Sequence, residues 1–485
     1  MNSVRSLTIF VVAVLALAVG CGEQNAASGP AGASIAPASA AVFVSIRTDS
    51  GSEQWQQAED LIAKFPDGRR AIDSILSELS DKGVDFEQDL QPALGPETDI
   101  VGLDLSGEGE FVGLTQPEDT QKLKDVLAKV DTKTVTREVD GWTVFSDSES
   151  ALDHFQSARE GGMLEGSSDY QDAVGQVNED ALALVYVNGS ALQKELPAND
   201  GVLPEAFDSV FGGQIPSMAI SLAAQENGAK VEGAALLTDE NLAVAPDNFK
   251  AGLPDEVPGG ALVYVGFNNL EQALSAYRDA LAEADPDVDR DIARIEAEVG
   301  VSLEEDVFPL FAGEAALYVR PGFLIPEVTL VTQVDDEQAA VATVDKIVKA
   351  LAEYLPAVQH VNEVQIDGID AKEVAVSPPV SVYYAAFDGH LVVTTSRDGI
   401  AQLRQDGDRL ADDSSFKDAL EQAGTPDETA GFAYVNLHDA IPYVLNYLGT
   451  VPEEVRRNIE PLESLVLYSS KDGNTLKFAG FLGVD

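Results

Sequence analysis

The chain has 485 residues, too many for one hydrophobic core to keep growing, and 45% of them are hydrophobic, enough for two or more domains of ordinary size. Acidic residues outnumber basic ones 83 to 30, and the resulting formal net charge of −53 repels phosphate backbones with no Lys/Arg cluster to interrupt it, so nucleic acid is not an expected partner. A single cysteine excludes an intrachain disulfide framework, a zinc ribbon and a CxxC redox pair.

The first elements are an address. Arg5 precedes an apolar run from Leu7 to Val19, which is too short to span a bilayer and ends at Gly20-Cys21. Residues 1–20 are therefore expected to be an export signal peptide. The stretch Leu17-Ala18-Val19-Gly20-Cys21 resembles the lipobox of bacterial lipoproteins, which implies lipidation of Cys21 and a membrane partner through that lipid. Residues 21–40, rich in Ala, Gly, Ser and Pro, are predicted to be a flexible tether with a reach of roughly 25 Å. The rest is expected to be extracytoplasmic.

From residue 41 the sequence repeats itself. Val84-Asp85-Phe86-Glu87-Gln88-Asp89-Leu90-Gln91-Pro92 is echoed by Val301-Ser302-Leu303-Glu304-Glu305-Asp306-Val307-Phe308-Pro309. Four further matches follow in the same order. Phe111 to Thr115 matches Leu330 to Gln333, and Val139-Asp140-Gly141-Trp142 matches Phe387-Asp388-Gly389-His390. Ser168 to Ala173 matches Ser415 to Ala419, and Tyr186-Val187-Asn188 matches Tyr434-Val435-Asn436. Both halves close on alternating strand pairs around Glu-Asn-Gly and Lys-Asp-Gly turns. Strands joined by tight turns and mixed irregularly with helices predict an α+β fold: two tandem diverged copies of one domain, each a mainly antiparallel sheet with helices packed on one face. The expected boundaries are repeat 1 at 41–240, a Pro/Gly-rich linker at 241–260, and repeat 2 at 261–485 with an inserted β segment at 368–387.

These features together resemble the bacterial family known as the domain of unknown function numbered 3352. The resemblance rests on the export signal, Pro37-Ala38-Ser39-Ala40-Ala41-Val42 opening the first strand, Val84 to Leu90 followed by Pro92-Ala93-Leu94-Gly95, and the strand end Tyr186-Val187-Asn188. It covers residues 37–485 and implies the same architecture and an exported location. It brings no activity with it.

Candidate sites are few. Glu87, Asp89, Glu304 and Asp306 recur in both copies, but Asp85-x-x-Gln88 and Ser302-x-x-Glu305 have capping-box spacing, which predicts helix starts rather than an acid–base pair. Asn188 and Asn436 are predicted helix caps, and His438-Asp439 lacks a nucleophile motif. Asp285, Asp287, Asp289, Asp291 and Glu296 imitate a calcium loop, with Arg290 where the turn wants Gly, so capping of a following helix competes with a metal cage. Tyr383, Tyr384 and Phe387, and the helical pair Tyr443 and Tyr447, are candidates for a ligand cleft, although core packing explains such spacing better. His154, His360, His390 and His438 have no metal-ligand spacing, and Gly107, Gly109 and Gly113 lack a nucleotide fingerprint. No catalytic residue and no cofactor is assigned.

The sequence thus favours an exported, membrane-anchored lipoprotein acting as a non-enzymatic binding or scaffolding module of the cell envelope, with a small ligand or an envelope protein as partner. A ligand site is expected between the copies. An extracytoplasmic hydrolase with dispersed carboxylates and a calcium-stabilised envelope protein are the alternatives.

Overall fold

The computed structural model describes residues 29–485 apart from 107–108, 131–132, 196–214, 239–241, 243–244, 285, 323–324, 355–359, 378–379 and 449–450. The predicted signal peptide, Cys21, Gly107 and Asp285 lie outside the described residues. In chain order the first strands are β1 (Val42–Arg47), β2 (Glu97–Asp104), β3 (Glu110–Thr115), β4 (Val135–Val139), β5 (Trp142–Ser146), β6 (Ala183–Val187), β7 (Met218–Gln225) and β8 (Gly228–Leu236). There follow β9 (Val263–Asn268), β10 (Glu314–Arg320), β11 (Glu327–Gln333), β12 (His360–Ile366), β13 (Ile369–Ser377), β14 (Val380–Phe387), β15 (His390–Thr394), β16 (Gly431–Asn436), β17 (Leu462–Asp472) and β18 (Thr475–Val484).

These elements form two compact units. One takes the described residues up to Thr238 together with Val451–Leu462 and Asn474–Asp485; the other takes Asp239–Thr450 and Glu463–Gly473. The expectation that 261–485 forms one body is corrected at β18, which runs antiparallel to β8 from Thr475 opposite Leu236 to Gly483 opposite Gly228. That pairing satisfies backbone N–H and C=O groups that β8 would otherwise leave open along an edge.

The first unit's sheet has the order β4-β5-β3-β2-β1-β6-β7-β8-β18, and every pair is antiparallel. The second has the order β12-β13-β14-β15-β11-β10-β9-β16-β17, again antiparallel throughout. Seven strands correspond, from β4 with β14 through to β7 with β17. The extra hairpin in the second unit is therefore β12–β13, residues 360–377, and not the predicted 368–387. The turn Asp388-Gly389 is the counterpart of Asp140-Gly141, and in both turns the two residues have positive φ, near 50° for the Asp and 80° to 85° for the Gly. That is the backbone a two-residue hairpin requires and that Asp-Gly supplies.

The expected single layer of helices is also corrected. In the first unit one face of the sheet buries Phe43, Val101, Trp142 and Tyr186 beneath helices Glu149–Ala158 and Ser168–Val174. The opposite face buries Ile46 and Phe145 with Leu79, Leu123 and Val126 from helices Gly68–Asp81 and Thr120–Val130. Strand β5 (Trp-Thr-Val-Phe-Ser) is accordingly buried at all five positions, with no alternation. Gly113 in β3 stands opposite Phe145, and a Cβ there would meet the Phe145 ring at 2.2 Å, so this glycine seats a core ring.

Two segments expected to be loose are packed. The predicted tether 21–40 is folded from residue 29, with Ala33, Ile35, Ala36 and Ala40 buried. The predicted linker 241–260 pairs Phe249 with Thr429 and buries Leu253 and Val257 completely. Small residues and prolines give both segments the composition of a linker, yet the same smallness lets their backbones lie close against a sheet. No helix among the described residues is long and apolar enough to cross a membrane.

Candidate functional site

The lead-in segments position the site. Residues 31–34 of the first unit form a 3₁₀ turn, and the Glu97 carboxylate at the start of β2 accepts hydrogen bonds from the backbone N–H groups of Ala31 at 3.2 Å and Gly32 at 2.9 Å. Further on, Arg159 Nε donates to the Ile35 carbonyl at 2.9 Å, Leu164 N donates to Ala36 O at 2.8 Å, and Ala38 N donates to Gly162 O at 3.0 Å. The second unit repeats this frame. Glu314 accepts from Gly252 and Leu253 N–H, Arg409 donates to Glu256 O, Leu410 N to Val257 O, and Gly259 N to Asp408 O.

Beside the first lead-in lies a cavity of about 220 Å³ walled by Gly29, Pro30 and Ala31, by Ser45, Arg47 and Asp49 at β1, and by Glu97, Gln116, Trp142, Glu179 and Leu184. Arg47 is already engaged, bonded to Asp180 at 2.7 Å and to the Ala181 carbonyl at 3.2 Å. Next to the cavity, on the sheet face that carries Ser45 and Glu97, Asp99 is fully buried. Neither of its carboxyl oxygens has a hydrogen bond of ordinary geometry, and the polar side chains within reach of it are the Ser45 hydroxyl and the Glu97 carboxyl. Burial first, and then the charge of Glu97, hold the Asp99 carboxyl well above the ordinary carboxylate range, and Ser45 opposes this only in part. The fold thus favours the protonated form of the Asp99 carboxyl. The nearby Tyr170 hydroxyl is also without a partner, and the Tyr186 hydroxyl lies within reach of Ser217 and Ser167. Burial raises both, Tyr186 to about 12.

The second unit shows what the frame requires. Register places Ser45 opposite Asp99 and Leu184 in the first unit, and Gly266 opposite Ala316 and Phe432 in the second. Glu97 and Glu314 are matched, whereas the buried acid at 99 is an alanine at 316. The ring contacts correspond as well: Tyr170 meets Tyr186 at 5.1 Å and Phe43 at 6.2 Å, as Phe416 meets Tyr434 at 5.1 Å and Tyr264 at 6.2 Å. Phe432, in the place of Leu184, adds a ring 5.3 Å from Tyr264. One unit fills this region with aromatic rings, and the other keeps a polar cavity with an acid lacking a counter-ion behind it.

The residues singled out from sequence are placed elsewhere. Asp85 Oδ1 accepts from Gln88 N, and Asp89 reaches back to Asp85 N; Ser302 and Asp306 repeat the pattern with Glu305 N and Ser302 N. Lys129 bonds Asp89 at 3.0 Å and Lys346 bonds Asp306 at 2.6 Å, so the backbone bonds and the lysines hold both carboxyls below the ordinary range. The reciprocal acid stands four residues on, not three, because these turns are π-helical. Glu304 is paired with Arg278. Asn188 caps Ala191 N and Asn436 caps Asp439 N, while His438 contacts Glu463 on the surface.

Of the residues that imitate a calcium loop, Asp287, Asp289, Asp291 and Glu296 lie on one helix. Pro286–Val299 is a helix, which fans successive side chains around its axis instead of converging them. Asp287 pairs with Arg290, Asp289 with Arg278 and Asp291 with Arg294, and Glu296 accepts from Leu303 N. Among the described residues no group of three or more His, Cys, Asp or Glu could hold a metal ion. Tyr443 and Tyr447 do not pack in a core: their rings lie 5.2 Å apart, Tyr447 is 54% exposed, and none of the described side chains at 437–447 is buried. Tyr384 is buried and donates to Asp345 at 2.5 Å, and Tyr383 donates to Glu373 on the other face of β14.

Asp99 escaped notice in the sequence. Its signal is an acid inside the core strand Glu97-Thr98-Asp99-Ile100-Val101, and the spacing of 217 between Val84 and Val301, carried forward, sets it against Ala316.

The fold is thus α+β, built on antiparallel sheets with helices on both faces, and its distinguishing site is a polar cavity in the first unit. The chain belongs to the family described as protein of unknown function (DUF3352), whose model matches residues 4–110 and 115–484. No curated protein matches. Among solved structures, crystal form IV of TP0453 is 14% identical with a TM-score of 0.25, covering 48% of this chain and 81% of that one. Crystal form III is 16% identical with the same TM-score, covering 48% and 79%.

Proposed function

We propose that this chain is an exported lipoprotein, acylated at Cys21, whose two units are diverged copies of one domain and which serves as a non-enzymatic binding module of the cell envelope. The binding site is the first-unit cavity. The observation that carries this reading is the contrast between the copies: the frame folds with Ala316 and a ring at 432, so Asp99, Ser45 and the open space beside Leu184 are not required for folding. A buried acid without a counter-ion is costly, and a group kept at such cost is a candidate for function. The export part is supported by the apolar run ending at the chain's only cysteine.

Two experiments test the reading. Growth with labelled palmitate should label the wild-type chain and leave Cys21→Ser unlabelled; equal labelling contradicts acylation at Cys21. Trp142 lines the cavity and Trp55 does not, so in a Trp55→Phe chain the emission reports cavity occupancy. Titration with the small-molecule fraction of the host should change it saturably, and Leu184→Phe should abolish the change. An unresponsive Trp142 contradicts the binding role.

A further inference from the structure

We propose that residues 29–40 are a strap that closes the first-unit cavity while Asp99 carries a proton and is released when Asp99 loses it. The strap supplies Gly29, Pro30 and Ala31 to the cavity wall, and at this end it is held by the two N–H bonds to Glu97. Gly32 lies so close over Asp99 that a Cβ on it would come within 1.8 Å of Asp99 Oδ2. The strap backbone is therefore part of what seals this carboxyl from water.

Nothing facing Asp99 balances a negative charge. From β1 it meets the Ser45 hydroxyl, from β2 the Glu97 carboxylate, from helix Ser168–Val174 the Tyr170 phenol, and from the strap the backbone of Gly32. The charges that reach Tyr170 are likewise all acidic: Asp99, Glu97, Glu179 and Glu165. Arg47, opposite Glu97 in register, is turned to Asp180 and the Ala181 carbonyl. An ionised Asp99 under the docked strap has no counter-ion and only the Ser45 hydroxyl as a side-chain donor, and a buried charge in that position either takes up a proton or opens its surroundings.

Lifting the strap returns Asp99 to water and to ordinary carboxylate behaviour. Docking then takes up one proton, so the docking constant is full below the free-carboxylate range and falls about tenfold per pH unit above it, until the docked acid itself ionises. Release would open the cavity and lengthen the chain between Cys21 and β1. The second unit's lead-in is held by Glu314 in the same way, but Ala316 stands at the station of Asp99, so it has no such control. This inference rests on the cavity as binding site only for its consequence. Strap release is read with no ligand present, so either reading can fail alone.

The test is amide hydrogen exchange on the full exported chain from about pH 5 to about pH 9, a window above ordinary carboxylate titration. Results are expressed as protection factors, which divide out the chemistry of exchange. The amides of Ala33, Ile35 and Ala36, all bonded within the strap, should lose protection at least about tenfold across the window in the wild type and keep it in Asp99→Asn. Flat wild-type protection, or an equal loss in Asp99→Asn, overturns the proposal. If Asp99→Asn fails to fold, Asp99→Ala, which copies the second unit, is read in the same way.

Discussion

Glu97 and Glu314 hold matching stations: each opens a strand next to the middle of its sheet and accepts two backbone N–H groups from the lead-in segment, Ala31 and Gly32 in one unit, Gly252 and Leu253 in the other. A carboxylate is the acceptor here because it takes two converging donors at once, and charge-assisted bonds are stronger than neutral ones. Burial raises Glu314, and the Leu253 and Gly252 N–H groups pull it back.

Removing that acceptor strands two donors in the interior. Glu314→Ala should destabilise the second unit by about 2–4 kcal/mol, the scale of two lost bonds to a charged group less what water recovers. Both tryptophans, Trp55 and Trp142, belong to the first unit, so their urea transition should stay near the wild type while amide protection across β9 and β10 falls. Equal loss in both units contradicts a local role.

Asp99→Ala should act in the opposite sense. A fully buried carboxyl with no counter-ion and no hydrogen bond of ordinary geometry is a net cost, so its removal should stabilise the first unit by about 1–3 kcal/mol at neutral pH. The sign with pH follows from a folded-state value raised above the unfolded one. Below the unfolded carboxyl range both states hold the proton and no penalty exists. As pH rises the unfolded chain ionises first, and wild-type stability falls by about 1.4 kcal/mol per unit relative to Asp99→Ala, until the folded group ionises as well. Urea midpoints read by tryptophan emission across pH check this; parallel curves for the two proteins contradict it.

Much of this architecture was legible. Asp-Gly pairs at 140–141 and 388–389 set the hairpins, and the capping residues Asp85 and Ser302 marked turn starts with the right backbone donors. What was missed has physical causes. The strap and its counterpart have few large apolar groups, so composition alone could not distinguish backbone packing from a loose tether. Strand β5 is covered on both faces, and the alternation that marks a one-sided sheet is absent there. Asp99 contributes to no motif because its significance lies in burial without a counter-ion, which only three dimensions reveal.

Calcium should have no specific effect. Asp287, Asp289 and Asp291 are spread around a helix and paired with Arg290, Arg278 and Arg294. Thermal unfolding with and without calcium should give the same shift in the wild type and in Asp287→Asn/Asp289→Asn. A shift lost in the double variant would restore a site there.

The most direct measurement is a native mass spectrum of the full chain purified gently from its host, recorded beside Leu184→Phe, which copies the ring that fills the second unit. The wild type should carry a reproducible extra mass beyond that of any lipid on Cys21, and the variant should lack it. A wild type with no added mass, or the same added mass on both proteins, would contradict a ligand held in the first-unit cavity.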